Sequence, residues 1–257
     1  METSENPVRL HQVVEYLDTW LRTTEVPDYS AAFNGLQVEG TRPIRRIAAA
    51  VDASEEAIRR AIASEADLLI VHHGMFWDGG VPVTGRRYRK LKLLIDAGVA
   101  LYSSHLPLDL HPEAGNNALL ANALGIELEG SFGGYKGVAL GVWGRLEVSR
   151  EVLAARLDDV LGRRVRLIAG GPEMLARVGV ITGSGASMMD EALAIGLDAL
   201  VTGEGQHHTY YDAIEKGINL YYGGHYATET FGVKAVCAQL AERFGFSWEF
   251  IDVPSGL

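Results

Sequence analysis

Along residues 10–21 the apolar side chains Val13, Val14, Leu17, Trp20 and Leu21 recur every three or four positions, the spacing that turns one side of a helix toward a core. The chain is therefore expected to open with an amphipathic helix. A segment marked by Pro, Asp and Gly follows through Asn34 and Gly35, and the unbroken apolar run 47–51 reads as a buried strand. Ser54, with Glu55 and Glu56 in the first turn, predicts a capped helix reaching about Ser64. Residues 68–71 form the next predicted strand, which ends on His72-His73-Gly74. A helix over 88–97 leads through Gly98 into a strand at 99–102, which runs out into Ser103-Ser104-His105-Leu106-Pro107-Leu108-Asp109. Strands alternating with helices imply a largely parallel sheet covered by helices, with ligand-bearing loops beyond the carboxyl ends of the strands.

The same succession returns in the second half. Ala66-Asp67-Leu68-Leu69-Ile70-Val71 matches Leu197-Asp198-Ala199-Leu200-Val201-Thr202, and Gly98-Val99-Ala100-Leu101-Tyr102 matches Gly217-Ile218-Asn219-Leu220-Tyr221. Each of the latter pair runs into a His-x-x-x-carboxylate, His105 with Asp109 and His225 with Glu229. A divergent duplication accounts for both matches. The expected fold is α/β, with two interlinked, similar three-layer α/β/α lobes at 1–129 and 130–257. The second lobe is expected to begin in the Gly-rich stretch 130–137, and the C-terminal helix to pack back on the first lobe. Strands at 138–142 and 164–168, with a helix over 150–161 between them, complete the second lobe.

Composition adds limits. With 47% hydrophobic and 22% charged residues in 257, the chain has the make-up of a globular protein with a sizeable core. No apolar stretch approaches the ~20 residues of a membrane helix, and the start of the chain lacks the basic and apolar regions of a signal peptide. The single cysteine, Cys237, has no internal partner and sits in an apolar helical pattern, as a buried thiol does. These features predict a cytoplasmic protein with no membrane partner. A net charge of −10 argues against double-stranded nucleic acid as a partner. The densest cationic run, Arg86, Arg87, Arg89, Lys90 and Lys92, reads as a solvated helix face or as a contact for an anionic ligand.

The chemistry concentrates at predicted strand ends. His72 and His73 would point apart on a regular strand, but at a strand-to-loop exit their imidazoles can diverge toward two ions a few ångströms apart. Asp109 adds an oxygen ligand from the neighbouring strand end, its loop restricted by Pro107. His225 and Glu229, four apart after Gly223-Gly224, share one side of a helical turn. Three imidazoles and two carboxylates suit Zn, Fe, Mn, Co or Ni and fit Ca poorly. Five ligands exceed what one ion takes from protein, so two divalent metal ions per chain are expected, with Glu229 as the bridge.

His105 and His111 are candidates to orient a ligand, and His105 and Glu204 are candidates for catalysis. Glu204, His207 and His208 occupy the place in the second lobe that His72 and His73 occupy in the first, and read either as a polar loop or as a substrate contact. Asp52, at the end of the 47–51 strand, either caps the following helix or faces the site, and capping is the expectation. Gly183-Ser184-Gly185-Ala186-Ser187 lacks the features of a nucleotide-binding loop and reads as a helix entry with at most weak anion binding.

Four ordered segments carry a family resemblance: Asn34-Gly35-Leu36-Gln37-Val38; Val71-His72-His73-Gly74-Met75-Phe76-Trp77; His105-Leu106-Pro107-Leu108-Asp109 with His111-Pro112-Glu113-Ala114-Gly115-Asn116-Asn117; and Gly224-His225-Tyr226-Ala227-Thr228-Glu229. They resemble the GTP cyclohydrolase I type 2-like family of dinuclear-metal-centre hexameric proteins related to the NGG-interacting factor three, in its short bacterial form. The resemblance implies a homohexameric toroid, a trimer of dimers, with a dimetal site facing its cavity. It implies that His72 and His225 hold one ion, His73 and Asp109 the other, and that Glu229 bridges them. The implied function is metal-dependent hydrolysis of a small, nucleotide-like substrate, with a non-catalytic metal-handling or regulatory role as the alternative.

Overall fold

The computed structural model describes residues 7–257. The first half follows the expected alternation: α1 (Leu10–Trp20), β1 (Gly35–Val38), β2 (Arg46–Asp52), α2 (Glu55–Ala63), β3 (Leu68–His73), α3 (Gly85–Ala97) and β4 (Ala100–Ser103). After α4 (Leu106–Asp109) and α5 (Asn116–Leu124) come β5 (Glu127–Tyr135), β6 (Val138–Ser149), α6 (Arg150–Leu161), β7 (Arg166–Ala169), β8 (Met174–Ile181), α7 (Met189–Ala194) and β9 (Ala199–Thr202). The chain closes with α8 (Thr209–Lys216), β10 (Asn219–Tyr222), α9 (His225–Thr228), α10 (Thr230–Phe244) and β11 (Ser247–Phe250). It divides into two compact units, one formed by the chain up to Leu108 with Val233–Val253, the other by Asp109–Gly232 with Pro254–Leu257.

The first unit holds a five-stranded sheet in the order β1-β4-β3-β2-β11, parallel except for β1. Ala48, Ala50, Leu69, Val71 and Leu101 on one face pack with Ala57, Ile58 and Ala61 of α2 and Leu94 of α3. The alternate residues Ile47, Ala49, Leu68 and Ile70 are buried as well, so both faces of the sheet are covered, as a parallel sheet requires. Cys237, in α10, is fully buried, and burial pushes its thiol pKa up.

The second unit holds a six-stranded sheet in the order β5-β6-β8-β9-β10-β7. Leu120, Leu124, Leu153 and Leu157 of α5 and α6 cover one face. Met189 and Ala192 of α7 and Ala213 of α8 cover the other. The Gly-rich stretch 130–137 belongs to a hairpin rather than an irregular connection. Lys136 and Gly137, both at positive φ, make the two-residue turn, whose twist matches the strands on either side. β6 extends well past the predicted 138–142 because it is paired on both sides, with β5 and with β8.

The duplication is visible in matched detail. In the first unit β2, β3 and β4 run parallel and β1 adds antiparallel to β4; in the second β8, β9 and β10 run parallel and β7 adds antiparallel to β10. Asp67 accepts from the backbone N–H groups of Arg45 and Arg46, at 2.9 and 3.1 Å, and its main-chain oxygen accepts from Ala100. Asp198 does the same for Ala176 and Arg177, at 2.8 and 2.9 Å, and its oxygen accepts from Asn219. Each carboxylate secures the start of one central strand while its own residue leads into the next. Among the described residues no helix is long and apolar enough to cross a membrane.

Candidate metal centre

In the first unit, parallel pairing of β2 with β3 sets Asp52 beside His73. β3 continues through both histidines, and their ring centroids lie 4.7 Å apart. His105, just after β4, brings a third ring within 5.0 Å of His72 and 5.6 Å of His73. One ligand atom from each of the three lies within 4.8 Å of the others. Each imidazole is held from behind through Nδ1: His72 on the Ser104 carbonyl at 2.9 Å, His73 on Asp52 Oδ1 at 3.0 Å, His105 on Asp28 Oδ1 at 2.9 Å. An oxygen acceptor at Nδ1 places the proton there and makes Nε2 the nitrogen that carries the lone pair.

Asp52 thus faces His73, and the expected cap is corrected: Ser54 accepts from the Ala57 N–H at 3.0 Å and caps α2 unaided. Asp28 is a residue that local pattern did not disclose. Burial pushes its carboxyl up, but His105, by hydrogen bond and charge, together with Asn34 and the Tyr29 N–H, holds it below the ordinary carboxylate value. Asn34 Oδ1 also accepts from the His105 N–H, at 2.7 Å.

In the second unit, His225 opens the single turn α9 and Glu229 follows it, so the four-residue spacing brings them together, Nε2 to Oε1 at 3.1 Å. Glu204 receives His225 Nδ1 at 2.9 Å. Burial alone would lower the His225 pKa, but the hydrogen bonds and charges of Glu229 and Glu204 outweigh it and raise it to about 9. Gly183 makes room for this pair. A Cβ there would fall 2.2 Å from Glu229 Oε1 and 3.2 Å from His225 Nε2, and its φ of +65° is one that side-chain-bearing residues rarely adopt. The glycine-rich segment expected to enter a helix therefore also shapes the carboxylate site.

Asp109 is buried, with Oδ1 accepting from Asn116 Nδ2 at 2.8 Å. Asn117 Oδ1 in turn receives the Thr182 N–H at 2.7 Å. His111 serves a turn, its Nδ1 accepting from the backbones of Glu113 and Ala114. His207 lies on a separate cavity of about 290 Å³ with Arg166, Tyr210 and Tyr211, and exposed His208 reaches Asp212 at 4.0 Å. Of Glu204, His207 and His208, Glu204 is therefore the one that meets a predicted ligand of its own unit.

Imidazole nitrogens backed by oxygen acceptors, and buried carboxylates with room kept beside them, fit divalent transition-metal ions. A protein-family model described as Duf34/NIF3 (NGG1p interacting factor 3) matches residues 8–255. A protein of Deinococcus radiodurans named GTP cyclohydrolase 1 type 2 homolog is 42% identical over 258 residues, spanning 100% of this chain and 97% of its own. One of the same name from Halobacterium salinarum is 46% identical over 243 residues, 92% of this chain and 95% of its own. A solved structure from structural genomics, protein ybgI of unknown function, superposes with a TM-score of 0.90 at 37% identity, covering 97% of this chain and 100% of that one.

Proposed function

The chain belongs to the Duf34/NIF3 family, and on that premise we propose that it is a dinuclear-metal protein that hydrolyses a nucleotide-like substrate. His72, His73, Asp109, His225 and Glu229 would hold the ions, drawn from Zn, Fe, Mn, Co or Ni. One observation carries the reading: His72, His73 and His225, the three histidines of the set, all have Nδ1 bonded to an oxygen, the arrangement by which metal-binding histidines orient the ring and aim Nε2.

Divalent ions bound there supply Lewis acidity and activate water at neutral pH. The chain's own residues supply the remainder. His105, its Nδ1 secured by buried Asp28, takes and returns a proton at Nε2. Glu204 keeps the His225 ring turned toward Glu229. Protein purified without an affinity tag is expected to carry two ions per chain by elemental analysis, Glu229→Ala to lose both and His225→Ala to lose at least one. Metal content unchanged in both variants defeats the metal reading. GTP, suggested by the relatives' name, is the first substrate to assay, and a fully metal-loaded protein that turns over no purine nucleotide defeats the hydrolytic one.

A further inference from the structure

The first unit also displays an aromatic surface that metal binding does not use. Tyr29, Phe33 and Trp77 are 49%, 55% and 37% exposed. The Trp77 ring stands 4.9 Å from His105 and 6.0 Å from His73, both edge to face. Tyr29 lies 5.9 Å from His105 and 6.4 Å from Trp77. The two exposed rings therefore border the imidazole cluster directly.

The segments that bear these rings are tightly clamped. Asp28 accepts from Asn34 Nδ2 at 2.8 Å and from the Leu106 N–H at 3.0 Å. Gln37 joins one segment to the other: its Nε2 donates to the carbonyls of Ala32 and Phe33, at 3.2 and 2.9 Å, and its Oε1 accepts from the Met75 N–H at 2.8 Å. Gly74 leaves space for that amide, since a Cβ there would fall 2.1 Å from Gln37 Nε2. Phe33 is held at a φ of 47°, an uncommon conformation for an aromatic residue. Polar bonds and a strained backbone thus hold large apolar rings in water, against the tendency of such rings to be buried.

We propose that Tyr29 and Trp77 form a stacking wall that holds the planar heteroaromatic ring of the substrate beside the imidazole cluster. The inference rests on the hydrolase reading for the identity of the reacting centre. A planar heterocycle matches both neighbours: its face lies on the Trp77 ring, Tyr29, tilted 55° to Trp77, closes one side of it, and its polar edge meets His73 and His105. A protein partner seated on Tyr29 and Trp77 would instead desolvate the adjoining imidazoles without replacing their contacts with water. A purine or pteridine is the size of ring expected; a sugar phosphate without a ring system offers nothing to stack.

The test is a titration of the chelator-treated, full-length protein. Trp77 is one of four tryptophans, so its fluorescence contribution is isolated by comparison with Trp77→Phe. GTP should quench wild-type emission saturably and inorganic tripolyphosphate should not. Trp77→Phe should lose the quench yet keep calorimetric GTP affinity within about threefold, because an aromatic face remains. Trp77→Ala and Tyr29→Ala should weaken GTP binding by about tenfold or more, with tripolyphosphate affinity and metal content unchanged. The inference is overturned if GTP, ATP, UTP and a dihydropterin all fail to quench, if quenching persists in Trp77→Phe, if both alanine variants bind GTP like wild type, or if those variants lose metal. Ring binding by a protein that holds no metal as purified, or that turns over no nucleotide once metal is added back, supports the wall and sinks the hydrolase reading, so the two failures are distinguishable.

Discussion

The two units use one scaffold and arm it differently. At the end of the second central strand the first unit carries His72 and His73, whereas the matched positions of the second carry Gly203 and Glu204. The first cluster is accordingly rich in nitrogen, with three imidazoles each anchored on an oxygen acceptor. The second is rich in oxygen, with His225 between Glu204 and Glu229 and its pKa raised to about 9. Both units carry the carboxylates that tie strands together, Asp67 and Asp198, while the residues at their strand ends differ. Backbone anchoring is a demand of the fold at both places; donor identity is not.

The strongest test of this comparison is removal of the carboxylate proposed to serve both ions. If Glu229 serves both ions, Glu229→Ala should abolish binding of both, while His73→Ala should leave one. Elemental analysis decides it, and retention of one ion by Glu229→Ala would show that each cluster acts alone. Next in size, Asp67→Ala and Asp198→Ala should each destabilise the protein by about 2–4 kcal/mol, since each strips an acceptor from two backbone N–H groups. Denaturant unfolding measures both, and a large inequality would break the equivalence.

The oxygen acceptors behind the histidines offer a finer contrast. Asp52→Asn and Glu204→Gln should each lower metal affinity by about 10–100-fold, as changes to groups that orient a ligand do. Competition with a chelator of known affinity compares the two units directly.

Acid and alkali should separate the regions in the metal-free protein. The His225 pKa is raised above its ordinary 6.5, so its contribution to stability is complete below that value and is lost as pH rises through about 9. The Asp28 pKa is lowered below its ordinary 3.8, so its contribution is present above that value and is lost as pH falls through the lowered one. Thermal unfolding against pH should show the alkaline limb flattened in His225→Gln and the acid limb flattened in Asp28→Asn.

Much of this was legible along the chain because it is written in neighbouring residues. Helical spacing at 10–21, the buried runs at 47–51 and 68–71, the two matched strand pairs and the four-residue spacing of His225 and Glu229 all follow from local geometry. Partner choice at long range was not local. Asp28 meets His105 across 77 residues, and Gln37 meets Met75 across 38, pairings that no periodicity announces. Asp52 was misread for the same reason: local rules favour a cap, while the β2–β3 register supplies a histidine at its side. The sequence by itself determined the elements, their repetition and the residue types that can bind metal, since each depends on nearest-neighbour sterics and side-chain chemistry. Tertiary structure alone decided that β11 joins the first sheet, that Gly183 makes room for Glu229, and that Tyr29 and Trp77 stand beside the imidazoles. Strand order and packing choose among many distant partners at once, and a linear pattern carries no distance between them.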